Sequence, residues 1–191
     1  MSFWSSSRAQ ASGALLRGAA LLAIGLGSAV PALAADVIRV VSPYQTTTLD
    51  PMRSAAAGNI ETYGQLYSRL LRRDPETGAL EPALAESWDI SADGLTYTFH
   101  LRDAQFSDGT AITADDVAFS LDRIRSDKKS AYPAPLGAVE SVTAADPKTV
   151  VVKLKSAFAP FLGNLEIWNM GIVSKADVES RARKRRSPPR P

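Results

Sequence analysis

From residue 95 to residue 101 apolar and polar side chains alternate without interruption. Leu95, Tyr97, Phe99 and Leu101 fall on one side of an extended chain, and Thr96, Thr98 and His100 fall on the other. Period-two alternation describes a strand with one buried and one wet face. Trp88 and Ile90 alternate with polar neighbours in the same way, and Asp93-Gly94 between the two runs is a turn dipeptide, so a hairpin is predicted over residues 88–101. A second hairpin is predicted from residues 139–144 and 149–155, in which Val150, Val152 and Leu154 share a face and Asp146-Pro147 breaks the chain. Residues 37–42, VIRVVS, are rich in β-branched side chains and read as an early strand buried on both faces.

Elsewhere the period changes to that of a helix. Residues 59–72 place Ile60, Tyr63, Leu66, Tyr67, Leu70 and Leu71 at helical spacing, with Asn59 as the expected N-cap. Asp74-Pro75 and Thr77-Gly78 then turn the chain. A further turn is expected at Asp108-Gly109. Thr113 with Asp116 three residues on is a short-acid capping box, and Val117, Phe119, Ser120, Leu121 and Ile124 give the helix behind it a mostly apolar stripe. Residues 126–134 are polar with a kink at Tyr132-Pro133, residues 158–165 predict a short helix, and the apolar run LEIWNMGIV, 165–173, predicts one more strand. Strands and helices mixed in this way indicate an α/β (α+β mixed) fold.

The two ends differ from the middle. Residues 1–34 have the layout of a secretory signal: Arg8 and Arg17 as the only charges, an apolar stretch from Ala19 to Val30 too short to span a bilayer, and the small residues of Ala32-Leu33-Ala34. Cleavage near Ala34 or Ala35 is expected, and the absence of a cysteine there removes the usual site of a bacterial lipid anchor. The chain contains no cysteine at all, which excludes disulfides, thiolate metal sites and a cysteine nucleophile. The formal charge is +2, yet residues 36–180 hold 14 Lys and Arg against 20 Asp and Glu, a net −6. The basic balance comes from the signal arginines and from RARKRRSPPRP, residues 181–191. Plausible GC-rich codons for that tail, displaced by two bases, can read Gly-Glu-Glu-Ala-Ala-Phe-Ala-Ala, so the tail is expected to be an aberrant product of a frame change near Ser180.

Candidate chemistry is sparse. His100 is the single histidine and lies on the polar side of a strand, where a structural role is expected because a lone imidazole lacks a partner. Asp115 and Asp116 suit the first turn of a helix, where the dipole favours acids. Ser68, Ser87, Ser107 and Ser120 have no nucleophile-elbow context. These residues point away from an enzyme and imply no cofactor and no metal. Trp88 is expected in the core. Four residues stand out as candidates for contact with a small molecule: Tyr44 after the first strand, Asn59 at the start of the first helix, Tyr132 in the kinked loop and Trp168 in the late apolar segment, the aromatic ones pairing an apolar face with a polar handle.

Pro82-Ala83-Leu84-Ala85-Glu86-Ser87-Trp88, the hairpin segment from Gly94 to Arg102, and the stretch from Phe106 to Val117 together resemble the solute-binding proteins of dipeptide, oligopeptide and nickel ABC importers. Leu49-Asp50-Pro51 and Leu66-Tyr67-Ser68-Arg69-Leu70-Leu71 are similar to the same family, and the resemblance runs from about Val37 to Val178. The short loop Asp103-Ala104-Gln105-Phe106 and Ser107, where a His is common, depart from it. The resemblance implies a two-lobed periplasmic-binding-protein fold of which residues 35–180 are a partial N-terminal lobe, a peptide-like small solute, an ABC permease complex at the inner membrane as partner, a monomer, no nucleic acid and a periplasmic location. Family members are several times longer, so this chain is expected to be unstable and unable to bind solute alone. The alternative reading is an exported protein that uses the basic tail to bind nucleic acid or an anionic surface.

Overall fold

In the computed structural model, which describes residues 41–186 with side chains to residue 184, the two sequence-predicted hairpins join into one four-stranded antiparallel sheet of order β3-β4-β6-β5. Strands β3 (Ala85–Ile90) and β4 (Thr96–Leu101) form the first hairpin, and β5 (Val139–Asp146) with β6 (Thr149–Leu154) the second. Trp88 lies opposite Phe99, Phe99 opposite Val150, and Tyr97 opposite Val152, so one face of the sheet carries a continuous apolar surface. The first turn is fixed by Asp93, whose carboxylate accepts from the Leu95 amide at 3.0 Å and from Ser91 Oγ at 2.5 Å. Gly94 follows with φ +69°, a conformation that costs other residues free energy.

Helix α2 (Ala114–Ser126) closes over that face. Its capping box forms as expected: the Asp116 carboxylate accepts from the Thr113 amide at 3.0 Å and the Thr113 hydroxyl at 2.8 Å. Val117, Leu121 and Ile124 are buried against Phe99, Val150 and Val152, and Tyr97 meets Phe161 edge-on at 4.7 Å. Trp88 is half-buried against this core, whereas Ile90, near the end of edge strand β3, is 48% exposed despite its place in the alternation.

The predicted helix over residues 59–72 is shorter and starts earlier. Helix α1 spans Ala57–Leu66, its N-cap is Ala56, and Asn59 lies inside its first turn. The chain leaves the helix at Tyr67 because tertiary partners take the carbonyls that helix continuation would use. Ser68 O accepts from Ile172, Arg69 O from Leu84, and Leu70 O from both Ala83 and Ala85. Leu70 and Leu71 are still buried, but from an extended backbone that runs into β1 (Leu71–Arg73), paired with β2 (Leu80–Pro82) across the predicted turn.

Residues 165–173 are not the expected strand. A 3-10 turn at Trp168–Met170 lies in this stretch instead, and helix α3 (Phe161–Asn164), inside the short helix predicted at 158–165, precedes it. The Asn169 side-chain amide donates to two main-chain carbonyls, Pro51 O and Ser54 O, each at 2.8 Å, and ties this turn to residues 51–54. Leu165, Met170 and Ile172 are buried without alternation. Helix α4 (Lys175–Arg186) then crosses Ser180 without a break. The signal segment and most of the predicted strand at 37–42 lie outside the described residues, and Val41 and Ser42 are not in a strand.

Candidate functional site

Helix α1 carries two glycines at close contacts, Gly58 under the chain at Tyr44 and Gln45 and Gly64 under the Trp168 ring. A Cβ on Gly58 would lie 2.7 Å from Tyr44 Cβ, and one on Gly64 would lie 2.2 Å from the Trp168 ring. Only a bare backbone allows those approaches. The two contacts are six residues apart, about 9 Å of helix rise. Tyr44 is 54% exposed and Trp168 41% exposed, and Leu49 and Leu66 are also exposed. The shoulder built by α1, residues 42–54 and residues 165–173 thus presents aromatic and aliphatic surface to solvent.

The loop beside it is held by side chains reaching main-chain groups. Asn59 is fully buried, and its Oδ1 accepts from the Thr47 amide at 2.7 Å and the Thr48 amide at 3.4 Å while Nδ2 donates to Thr47 Oγ1 at 3.0 Å. Its amide is therefore committed to shaping the loop. Thr46 and Thr62 share a 2.5 Å hydroxyl contact, which ties the loop to α1. Below them Asp50 receives both terminal nitrogens of Arg123, at 3.0 and 2.5 Å, and a flank from Arg53, whose Nη2 also reaches Asp127 at 3.3 Å. A backbone hydrogen bond from Lys129, the main cause, and then the Arg53 charge hold the Asp127 carboxyl below its usual range. Tyr67 Oη donates to Leu49 O at 2.6 Å. Tyr63 is fully buried with no partner for its hydroxyl among the described residues. Burial first, and the Asp50 charge second, push its pKa to about 12.

The four residues preferred from sequence are not one cluster. Tyr44 and Trp168 sit at separate points of α1, Asn59 is inside the shoulder, and Tyr132 is half-buried against the core beyond Ala131, whose amide donates to Met52 O at 2.8 Å. Sequence reasoning did not single out the Asp50–Arg123 pair, Asn169 or Arg69. Arg69 lies with its guanidinium 4.0 Å from the Trp168 ring centroid. No periodicity marks such residues, since the partners are tens of positions apart.

Other candidate groups are engaged structurally. Asp116 also accepts from the Lys175 amide at 2.9 Å, which anchors the start of α4. His100 meets Asp89 at 3.0 Å on the wet face of the sheet. A shallow cavity of about 410 Å³ lies between Phe106, Thr110, Ser174 and Ser180, and the acids around it are already bonded, Asp108 to Thr110 and Asp177 to Arg181. Among the described residues no three His, Asp or Glu side chains group as metal ligands, and no helix is long and apolar enough to cross a membrane.

Residues 79–189 match the family described as Bacterial extracellular solute-binding proteins, family 5 Middle. A Brucella ovis protein named for ABC-transporter peptide binding is 36% identical over 158 residues, covering 80% of this chain and 29% of its own. AgaA of A. tumefaciens, solved with agropinic acid, superposes with a TM-score of 0.69 at 29% identity over 76% of this chain and 30% of its own. The periplasmic binding protein DppA of Helicobacter pylori, solved with the peptide STSA, gives 0.62 at 31% identity over 72% of this chain and 30% of its own. The chain spans about three-tenths of the length of these relatives.

Proposed function

This chain belongs to the bacterial extracellular solute-binding proteins, family 5, and on that premise we propose that it supplies part of the solute-contacting lobe of a periplasmic ABC-importer binding protein for peptide-like solutes. The observation that carries the reading is the pair of exposed aromatic side chains, Tyr44 and Trp168, at the close contacts with Gly58 and Gly64 of one helix. Rigid aromatic surface beside a fixed polar loop suits a peptide, which offers both side chains and main-chain groups. In the whole protein, solute favours the closed arrangement of two lobes, and the closed form docks on the permease, so the function needs binding and no bond chemistry. Residues 1–34 direct export and are removed, and the protein acts as a monomer. The basic segment from residue 181 takes no part in solute contact and binds no nucleic acid.

A single lobe cannot enclose its ligand, so this chain alone should hold peptides only weakly, with Kd of about 1 mM or above, near −4 kcal/mol. Thermal shift with millimolar di- to pentapeptides tests the reading. A peptide-dependent shift that Tyr44→Ala and Trp168→Ala each reduce supports it. Shifts unaffected by either substitution would move solute contact away from this shoulder.

A further inference from the structure

Arg69 stands just past the end of α1 and donates one guanidinium nitrogen to the main-chain carbonyl of Glu166. The Glu166 carboxylate is occupied elsewhere, accepting from Arg73 Nε at 2.8 Å. Among the described residues no carboxylate lies within ion-pair distance of Arg69. Its charge is half-buried, and burial lowers its pKa against an opposing pull from Glu166. A half-desolvated cation that only shares a carboxylate already paired with Arg73 is incompletely neutralised, and an incoming anion relieves that cost.

The guanidinium is also aimed. It lies 4.0 Å from the Trp168 ring centroid, and that ring is pressed onto the bare backbone of Gly64, so neither group is free to wander. Trp168 remains 41% exposed, which leaves the pair open to solvent. We propose that Arg69, stacked on Trp168, forms a subsite for the free carboxylate of a small solute. The planar fork of a guanidinium matches the two oxygens of a carboxylate, while the indole edge covers the carbon that bears it. Because stacking has already fixed the side chain, less ordering free energy is lost on binding. This subsite rests on the solute-capture reading above and narrows it to solutes with an unpaired carboxylate.

The test uses the full chain labelled with nitrogen-15 and three probes: N-acetyl-Ala-Phe, its C-terminal amide, and inorganic phosphate. The Arg69 Nε–H and Trp168 Nε1–H signals are followed during titration. The acid is expected to move both signals, with the amide at least about tenfold weaker, as a lost charge-assisted hydrogen bond implies. Arg69→Gln, which keeps a donor toward Glu166 O, should weaken the acid to the level of the amide, whereas Trp168→Phe should weaken both probes together. Equal binding of acid and amide, or full binding of the acid by Arg69→Gln, overturns the subsite while leaving solute capture at the shoulder standing. A response to phosphate with none to the acid overturns the carboxylate assignment, and silence of both signals toward every probe overturns the subsite altogether. Backbone amide dispersion in each variant reports whether it is folded.

Discussion

The sheet with its covering helix and the shoulder around α1 are built by different forces. In the sheet layer, Phe99, Val150, Val152, Val117 and Leu121 are buried against one another, and any apolar side chain of similar volume would serve much the same end. In the shoulder, Asn59, Asn169 and Asp50, the last held by Arg123 of the covering helix, engage specific atoms of specific neighbours, several of them on residues 47–54. Nonpolar burial has no direction, whereas a hydrogen bond fixes a position. The layer therefore provides stability, and the shoulder provides geometry for the surface proposed to meet solute.

Phe99→Ala should do the most damage, because it empties a fully buried aromatic site at the centre of the layer. A loss of about 3–5 kcal/mol is expected from chemical denaturation, with both regions unfolding in one transition. Arg123→Met should separate the two regions instead. It leaves the Asp50 carboxylate without its bidentate partner, at about 1–3 kcal/mol given the partial exposure of the pair. Hydrogen exchange should quicken at the Met52 and Arg53 amides, both bonded to Asp50, and stay slow in β4 and β6. Asn59→Ala is expected to cost about 1–2 kcal/mol, and faster exchange confined to the Thr47 amide and its neighbours would mark the loss of the clamp.

The smallest effect concerns Tyr63. Its phenol pKa is raised from 10.0 to about 12 in the fold, so between those values the folded chain binds more protons than the unfolded one. Stability is fully present below pH 10 and falls as the pH rises toward 12. Tyr63→Phe should flatten this alkaline slope, and should cost little at neutral pH because the hydroxyl it removes has no partner among the described residues. An unchanged slope would show that another group titrates there.

The same contrast explains how much could be read from the sequence. Both hairpins, their turns at Asp93-Gly94 and Asp146-Pro147, and the box at Thr113 and Asp116 are local signals, and each appears where the pattern puts it. Leu70 and Leu71 satisfied a helical period by coincidence, since Leu84 and Ile172 claim the carbonyls just before them. The apolar run at 165–173 looked like a strand because nothing local reveals that Asn169 reaches the carbonyls of Pro51 and Ser54. At the candidate site, Tyr44 was legible as an aromatic residue in a loop, and Trp168 as the aromatic of an apolar run that reads as a strand. That Asn59 faces inward, and that Arg69 rests on Trp168, depends on contacts across 12 and 99 positions that periodicity cannot carry.

The most direct measurement is a residue-resolved map of backbone amide shifts on adding a free-acid peptide. Changes should follow α1, residues 44–48 and residues 166–170, with β4 and β6 unmoved. Changes centred on the wet face of the sheet at Thr98 and His100, or spread evenly over the chain, would contradict solute contact at the shoulder.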